Sequence, residues 1–358
     1  MTVPVPAPLP HVAAMAAYAL SEPCPADWTS LAQNESAFGP SPRALKAGAD
    51  SLIDAPLYPD PDWTELRHAI AQVHHLPSHQ VICGAGSMEL IASLIRAYAG
   101  PDDHVIGSQY GYLFVETACQ QIGARYLRAP EIELTVCPDA LLGKVTPSTR
   151  IVFLCNPGNP TGTRLANARI VDLRKALPPE VILVVDQAYA EFDDQDMRPV
   201  FELVTASNTV VTRTFSKAYG LAGARVGWGL FPAAIATQTR KVVNPNNICT
   251  ISQVMAREAM RDQEHMTGIV HRTAKLREKL HADLTEAGFR CPGSHANFVL
   301  IPFADAAAAE RADRRLREYQ LLLRGMAGYG LPHCLRATIG PPEALTRLAE
   351  VLSGGPEA

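Results

Sequence analysis

A lysine-centred run, TFSKAYGLAGAR, begins at Thr214 and holds the residue types of a cofactor site. Its lysine, Lys217, follows an apolar strand-like run at residues 209–212, where the chain is expected to be buried. A buried ammonium group is costly unless its pKa falls or it forms a Schiff base with a carbonyl compound. Thr214, Ser216 and Arg225 are the donors that a phosphate dianion requires. The run therefore predicts a pyridoxal phosphate site, the alternative being a surface lysine beside a flexible loop.

A glycine-rich turn provides a second candidate anion site. Residues 81–83 form a short apolar run, and the turn Gly84-Ala85-Gly86-Ser87 leads from it into a helical pattern that starts near Met88. A turn of this kind presents free backbone N–H groups at a helix N-terminus. It could equally serve only close packing, so its function depends on the lysine run.

Polar residues also follow the other apolar runs. Asp186 ends the run 181–185, and a buried carboxylate there needs a cation, which a protonated pyridine nitrogen would supply. Asn159 and Tyr189 could donate hydrogen bonds to the phenolate oxygen of the same cofactor, and Tyr110 could stack on its ring. The alternatives are a helix-capping aspartate, a turn asparagine and a core tyrosine.

Two arginines near the C-terminus are candidates for anion binding. Arg324 and Arg336 fall in separate strand patterns, and a pair of guanidinium groups suits a carboxylate or a phosphate. Each could instead be an ordinary strand-edge residue. The histidines show no metal-ligand spacing, so no metal site is predicted.

The pattern of elements explains how these residues could meet. Apolar runs at 81–83, 105–107, 151–155, 181–185 and 209–212 alternate with helical segments, which predicts an α/β fold with a mostly parallel sheet covered on both faces. Ligands of such sheets lie beyond the carboxyl ends of the strands, where the candidate residues fall. From about residue 250 the pattern changes to a smaller α+β domain. We predict an N-terminal arm at 1–33, a large domain at 34–247 and a small domain at 248–358.

Composition excludes several classes of protein. The chain has 358 residues, 47% of them hydrophobic and 19% charged, with a net charge of −4 and no basic block, which argues against a nucleic-acid partner. The eight cysteines form no CxxC pair, which is typical of reduced cytosolic thiols. The N-terminal apolar run lacks a basic flank, and no run is long enough to cross a bilayer. We expect a cytoplasmic enzyme without a membrane partner.

Three motifs resemble fold-type I PLP-dependent aminotransferases: NPGNPTG at 156–162, DQAY at 186–189 and SKAYGLAGARVG at 216–227. Further runs are similar to the histidinol-phosphate aminotransferase branch, namely NESAFGPSP at 34–42, YPD at 58–60, GAGSMEL at 84–90, ANFVL at 296–300 and YGLPHCLRATIG at 329–340. The likeness covers the chain from about residue 30. It implies a seven-stranded sheet between helices.

The resemblance implies a role for each matching residue. Lys217 would bind pyridoxal 5'-phosphate and carry the catalytic proton, with Asp186 on the pyridine nitrogen, Asn159 and Tyr189 on the phenolate oxygen and Tyr110 on the ring. The cofactor phosphate would be held by Gly86, Ser87, Met88, Thr214, Ser216 and Arg225. Tyr58 would reach the phosphate in the neighbouring subunit of a homodimer. Arg336 and Arg324 would bind the substrate anion, with Asn34 and Asn247 on the substrate side.

The resemblance leaves the amine substrate open. Asn246 replaces the aromatic residue that family members have before Asn247, and Ser36 and Ala37 replace residues near the substrate. The first hypothesis is ping-pong transamination of histidinol phosphate with 2-oxoglutarate. The others are an aminotransferase for an aromatic or specialised amino acid, a PLP-dependent decarboxylase or cyclase, and a non-catalytic binding protein.

Overall fold

The computed structural model describes residues 5–16 and 22–355. Parts of the predicted arm, at 1–4 and 17–21, lie outside the described residues. The strands are β1 (Thr29–Ser30), β2 (Val81–Gly84), β3 (His104–Ser108), β4 (Arg125–Ala129), β5 (Glu131–Ile132), β6 (Thr135–Val136), β7 (Thr149–Cys155), β8 (Ile182–Asp186), β9 (Thr209–Thr214), β10 (Gly227–Leu230), β11 (Phe298–Pro302), β12 (Leu321–Leu322), β13 (Arg324–Gly325) and β14 (Cys334–Thr338).

Helices separate most of these strands. They are α1 (Pro10–Ala13), α2 (Pro42–Asp50), α3 (Thr64–His74), α4 (Ser87–Tyr98), α5 (Leu113–Gln120), α6 (Pro138–Leu142), α7 (Asn167–Ala176), α8 (Arg198–Ala206), α9 (Ala233–Arg240), α10 (Thr250–Arg261), α11 (Gln263–Glu286), α12 (Ala306–Glu318) and α13 (Pro342–Leu352). Short 3-10 helices lie at Ser51–Asp54, Ser78–Gln80, Ala190–Phe192 and Ala327–Tyr329. Across residues 5–16 and 22–355, no helix is long and apolar enough to cross a membrane.

The main sheet has seven strands in the order β2-β10-β9-β8-β7-β3-β4. Strand β10 runs antiparallel to both of its neighbours, while β9, β8, β7, β3 and β4 pair in parallel. All five residues of β8 are buried, as expected for a strand with helices on both faces. The predicted mostly parallel sheet is confirmed.

Two strands of this sheet were not among the predicted apolar runs. Strand β4 (RYLRA) is at the edge of the sheet and is only partly buried, so it carries two arginines. Strand β10 (GWGL) is short and begins with Gly227, where a Cβ would lie 2.2 Å from the backbone nitrogen of Ser87. This close approach requires glycine and packs β10 against the start of α4.

The C-terminal part has its own sheet and core. Strands β11, β14 and β13 form a three-stranded antiparallel sheet, and its core includes Leu280, Leu316 and Leu348 from three helices. Helix α11 begins at Gln263, where the side chain of Asp262 caps it by accepting a hydrogen bond from the backbone N–H of His265. The smaller α+β unit is thus present as predicted.

The packing at both ends of the large domain does not follow the predicted domain bounds. Helix α10 packs against α2 and α3, and its Ala256 and Met260 belong to the core of the main sheet, which favours a junction near residue 262. Strand β1 pairs with β12, and Leu31 is buried in the small-domain core. The domain bounds themselves stay a prediction.

Candidate active site

A cavity of about 400 Å³ opens at the carboxyl edge of the main sheet, facing the small domain. Strand β10 is antiparallel, so its first residues reach the same edge as the last residues of β7, β8 and β9. The predicted residues that line the cavity are Asn34, Ser87, Met88, Asn159, Asp186, Tyr189, Thr214, Ser216, Lys217, Arg225, Arg324 and Arg336. Segments from both domains therefore form one site.

The lysine side chain lies on the wall of this cavity. Its Nζ donates a hydrogen bond to the backbone oxygen of Gln33 at 3.2 Å and lies 6.0 Å from the centre of the Tyr189 ring. Burial lowers the pKa of Lys217 to about 7, and the positive charges of Arg336 and Arg225 add to this effect, while Glu35 opposes it. At neutral pH a large share of the amine is therefore uncharged and able to act as a nucleophile or a base.

We expect the apoprotein to show this reactivity directly. Reductive labelling of Lys217 by a small aldehyde should reach half of its maximal rate near pH 7, because only the neutral amine reacts, whereas an ordinary lysine titrates near pH 10.4. Peptide mapping at a series of pH values measures the midpoint. The exposed Lys144 is the internal control. A midpoint for Lys217 near that of Lys144 would contradict the assignment.

The Asp186 carboxylate is held at the end of β8. Its Oδ1 accepts a hydrogen bond from Thr212 Oγ1 at 2.9 Å, and its Oδ2 lies 4.0 Å from Cys155 Sγ. The residue is 3% exposed, and burial raises its pKa to about 6. A cation bound in the cavity would offset this cost and keep the carboxylate ionised, which is the behaviour that a pyridinium partner requires.

An anion site is formed where α4 meets the lysine loop. The hydroxyl of Thr214 donates to Ser216 Oγ at 3.0 Å, and Arg225 Nη1 donates to the same oxygen at 3.4 Å. Helix α4 starts at Ser87 and adds its free backbone N–H groups. Gly86 has φ +82°, and a Cβ on it would lie 2.7 Å from Arg225 Nη2, so a side chain there would strain the backbone and displace the guanidinium.

The two arginines of the small domain face the opposite side of the cavity. Arg324 on β13 is directly opposite Arg336 on β14 in the strand register. Arg336 donates to Asn159 Oδ1 at 2.6 Å and to the backbone oxygen of Ala32 at 2.9 Å. Its Nε is buried and has no hydrogen-bond partner among residues 5–16 and 22–355. An anion between these arginines would compensate a guanidinium that is 6% exposed.

Asn34 joins the two domains at the cavity wall. It has φ +54°, its backbone N–H donates to Thr338 Oγ1 at 2.9 Å, and its Nδ2 donates to the Tyr189 hydroxyl at 3.0 Å. Burial raises the pKa of Tyr189, so its hydroxyl stays protonated and can donate a hydrogen bond into the cavity.

Three predicted residues lie away from the cavity wall, namely Tyr110, Asn247 and Tyr58. The ring of Tyr110 packs beside Leu300 and Met326 of the small domain, and its backbone N–H donates to Glu131 Oε1 at 3.2 Å. Tyr112, two residues on, lines the cavity instead. The structure thus does not place Tyr110 where ring stacking requires it.

Asn247 also differs from its expected position. Its Oδ1 accepts from Trp63 Nε1 at 2.9 Å and its Nδ2 donates to Glu89 Oε2 at 2.6 Å, so the side chain is committed outside the cavity. Glu89 in turn accepts from the Ala85 N–H of the glycine-rich turn at 2.6 Å. Asn247 supports that turn indirectly. Tyr58 is 89% exposed and does not line the cavity of its own chain.

Nine cavity residues were not assigned a role from the sequence, among them Glu35, Tyr112, Cys155 and Tyr329. Glu35 and Tyr329 fall inside motifs that the resemblance used, which was the available signal. Cys155 ends β7 and is paired in register with Asp186, so its strand-end position could have identified it. Tyr112 carried no signal separating it from Tyr110.

Comparisons with known proteins agree with this geometry. Residues 26–352 match the family model described as aminotransferase class I and II. Histidinol-phosphate aminotransferases of Cereibacter sphaeroides and Paracoccus denitrificans are 42% and 41% identical to the chain, in each case over 90% of it and over 89% and 88% of the relative. The crystal structure of histidinol-phosphate aminotransferase from Sinorhizobium meliloti in complex with pyridoxal-5'-phosphate has a TM-score of 0.85, at 29% identity and 90% coverage of both chains.

Proposed function

We propose a specific reaction for this chain, which belongs to the class I and II aminotransferases. It binds pyridoxal phosphate and transfers the amino group of histidinol phosphate to 2-oxoglutarate. The expected products are imidazole acetol phosphate and glutamate, formed in two half-reactions at one site. We also propose a cytoplasmic location and a role in amino-acid biosynthesis.

The residues of the cavity fit the cofactor. When bound, pyridoxal phosphate supplies a carbonyl carbon that links to an amine and a pyridinium ring that withdraws electrons. Lys217 offers the amine, Asp186 the buried carboxylate for the ring nitrogen, and Tyr189 a protonated hydroxyl. The phosphate would lie at the N-terminus of α4, against Thr214, Ser216 and Arg225.

The same residues would carry out the proton transfers. Lys217 Nζ, with a pKa of about 7, can take the proton from the substrate carbon that bears the amino group and would deliver it to the carbon on the other side of the amine nitrogen. Asp186 would lie beside the ring nitrogen, where the cation would offset the burial that raises its pKa to about 6, and its carboxylate would stabilise the protonated ring. Asn34 holds the Tyr189 hydroxyl in a fixed direction through the hydrogen bond at 3.0 Å.

The observation that carries the substrate proposal is the Arg324–Arg336 pair with the unpartnered Nε of Arg336. Glutamate brings a carboxylate to this place, and histidinol phosphate, which has no carboxylate, would bring its phosphate monoester. Two guanidinium groups can bind either anion. The curated relatives at about 40% identity, each named histidinol-phosphate aminotransferase, support the second ligand.

The proposal is tested by spectral titration of the purified holoenzyme with one amine at a time. Both glutamate and histidinol phosphate should convert the visible band of the bound cofactor to the band of its aminated form. A response to glutamate without one to histidinol phosphate would point to an aminotransferase for another amine. A response to neither would contradict transamination.

The side-chain contacts of Asn247 lie outside the cavity, so nothing in its position favours a decarboxylase or cyclase.

Replacing Gly86 by valine should weaken binding of pyridoxal phosphate roughly tenfold to hundredfold, from left-handed backbone strain and displacement of the Arg225 guanidinium. Cofactor affinity is measured by fluorescence quenching of the apoprotein. Gly39→Val is the matched control, since Gly39 also has positive φ but no atom within 4 Å of its added Cβ. An equal loss in both variants would mean that backbone strain, not the clash, matters.

We propose that two copies of the chain form a dimer through the surface around Tyr58. Ile53, Leu57 and Tyr58 are 83%, 69% and 89% exposed, an apolar patch that a partner subunit would cover. Tyr58 would then reach the cofactor phosphate of that partner. This proposal explains why a predicted cofactor ligand lies outside its own cavity.

Mixing two inactive variants tests the shared site. Lys217→Ala and Tyr58→Ala proteins, refolded together, should form hybrid dimers in which one of the two sites keeps both native residues, so activity returns. Each variant refolded alone is the control. If Tyr58 acted only within its own subunit, one site of the hybrid would lack Lys217 and the other would lack Tyr58. Mixing would then give only the average of the separate activities.

A further inference from the structure

We propose that the buried ion pair of Arg213 and Glu191 positions the two chain segments that hold the cofactor. The inference rests on the proposed cofactor site but concerns residues that lie outside the cavity. One segment is the end of β9, and the other is the turn that follows β8. The pair is therefore a positioning device for the reaction, and neither residue is a catalytic group.

The pair lies in an apolar environment on the far face of the sheet. Arg213 Nη2 is 2.8 Å from Glu191 Oε1, and each side chain is 4% exposed. The guanidinium carbon lies 5.6 Å from the ring centre of Trp228 and 5.9 Å from that of Phe201. In a buried environment of low dielectric constant the two charges attract each other strongly and bind few alternative partners.

The nearby histidine does not compete for either charge. His74 packs on Trp228 with ring centres 5.1 Å apart, and burial, with a contribution from the charge of Arg213, lowers its pKa to about 3. It is therefore neutral at physiological pH. Within the part of the chain that the structure describes, the carboxylate that forms an ion pair with Arg213 is that of Glu191.

Strand alternation places Arg213 between two cofactor-side residues. Thr212 binds the Asp186 carboxylate at 2.9 Å, and Thr214 binds Ser216 in the phosphate site at 3.0 Å. Since successive side chains of a strand point to opposite faces, Arg213 points away from both. Any shift of Arg213 along or across the sheet moves both threonines.

Glu191 has the equivalent position in the second segment. It lies in the 3-10 helix Ala190–Phe192, directly after Tyr189. The turn is otherwise tied to β9 by the backbone hydrogen bond from Gln187 to Thr212 at 2.8 Å. The ion pair adds a side-chain connection just beyond Tyr189, so it fixes the direction of that hydroxyl relative to Lys217.

The hydrogen bonding of the pair indicates that its role is to position the two segments and not to stabilise the fold. Arg213 Nε and Glu191 Oε2 are buried and have no partner among residues 5–16 and 22–355. Buried pairs with unsatisfied atoms contribute little net stability, and apolar replacements of similar volume are often as stable. What an apolar pair cannot supply is the directed bond between the two segments.

The test is a double variant, Arg213→Met with Glu191→Leu, which removes both charges and leaves neither one buried alone. We expect a melting temperature of the apoprotein close to that of the unchanged protein, with kcat for glutamate reduced about tenfold to hundredfold. The KM for glutamate should change less than threefold, because Arg324 and Arg336 are untouched. The midpoint of Lys217 labelling by a small aldehyde should also move from its value near pH 7.

The control removes an exposed pair, Arg198→Met with Asp196→Asn, whose side chains are 83% and 51% exposed. Full kcat and an unchanged midpoint of Lys217 labelling in the Arg213→Met, Glu191→Leu double variant would overturn the inference. So would a kcat loss that only follows the unfolded fraction. The labelling readout requires no bound cofactor, and an unchanged protein that fails to bind pyridoxal phosphate would identify failure of the proposed function itself.

Discussion

Replacing Lys217 by alanine should abolish turnover, with a loss of about 10⁴-fold or more, and should remove the visible absorbance of the lysine-bound cofactor. One side chain supplies both the nucleophilic amine and the proton-transfer group, and positioned general acid–base catalysis alone contributes about 10²-fold to 10⁴-fold. The pKa of about 7 is what makes this amine suitable at neutral pH. The measurement is the glutamate half-reaction followed by absorbance, with the folded state checked by thermal unfolding.

Two further variants sharpen this result. Lys217→Arg keeps the positive charge but cannot lose its proton, so it should be as inactive as the alanine variant. Lys144→Ala removes an exposed lysine and should behave as the unchanged protein. A Lys217→Ala protein that kept both the absorbance and the turnover would exclude the proposed cofactor chemistry.

Replacing Arg336 by glutamine should lower kcat/KM for glutamate and for histidinol phosphate about 10²-fold to 10³-fold. Loss of one partner from a buried, hydrogen-bonded charge pair has a cost of this order, since the substrate anion is left without its cation. The main effect should be on KM, because the guanidinium binds the anion in the ground state as well. Steady-state kinetics with each substrate separate the two constants.

The same variant should act on the lysine. Arg336 lowers the pKa of Lys217, so its removal should move the midpoint of aldehyde labelling above pH 7. Arg336→Lys keeps the charge but loses the two-pronged geometry, and it should recover the labelling midpoint better than the kinetics. Arg347→Gln, on the exposed face of α13, is the control. Full activity of Arg336→Gln would remove Arg336 from the substrate site.

The sequence predicted which residues form the site better than it predicted their side-chain contacts. Apolar runs ending in polar residues identified β7, β8 and β9, and the parallel-sheet rule brought Asp186 and Lys217 to one edge. Strands β4 and β10 were missed because an edge strand and a short glycine-containing strand lack a continuous apolar pattern. Local pattern thus predicted most of the sheet but not its edges.

Long-range contacts could not be predicted from the pattern. Tyr110 and Tyr112 are two residues apart in one loop, and only the packing of Tyr110 against Leu300 and Met326 decides which ring lines the cavity. The side chain of Asn247 depends in the same way on Trp63, which lies 184 positions away. Such choices arise from tertiary contacts that one sequence does not display.

The bonds of Asn34 have a consequence for biosynthesis. Its backbone N–H binds Thr338, a contact across 304 positions, and β1 just before it pairs with β12. A ribosome adds roughly 5–20 residues each second, so Asn34 leaves the exit tunnel many seconds before Thr338 has been made. The lysine loop can fold while translation continues, but the wall formed by Asn34 has to wait for the last strand. A newly made chain therefore has a finished active site only after β14, which carries Thr338, has left the exit tunnel.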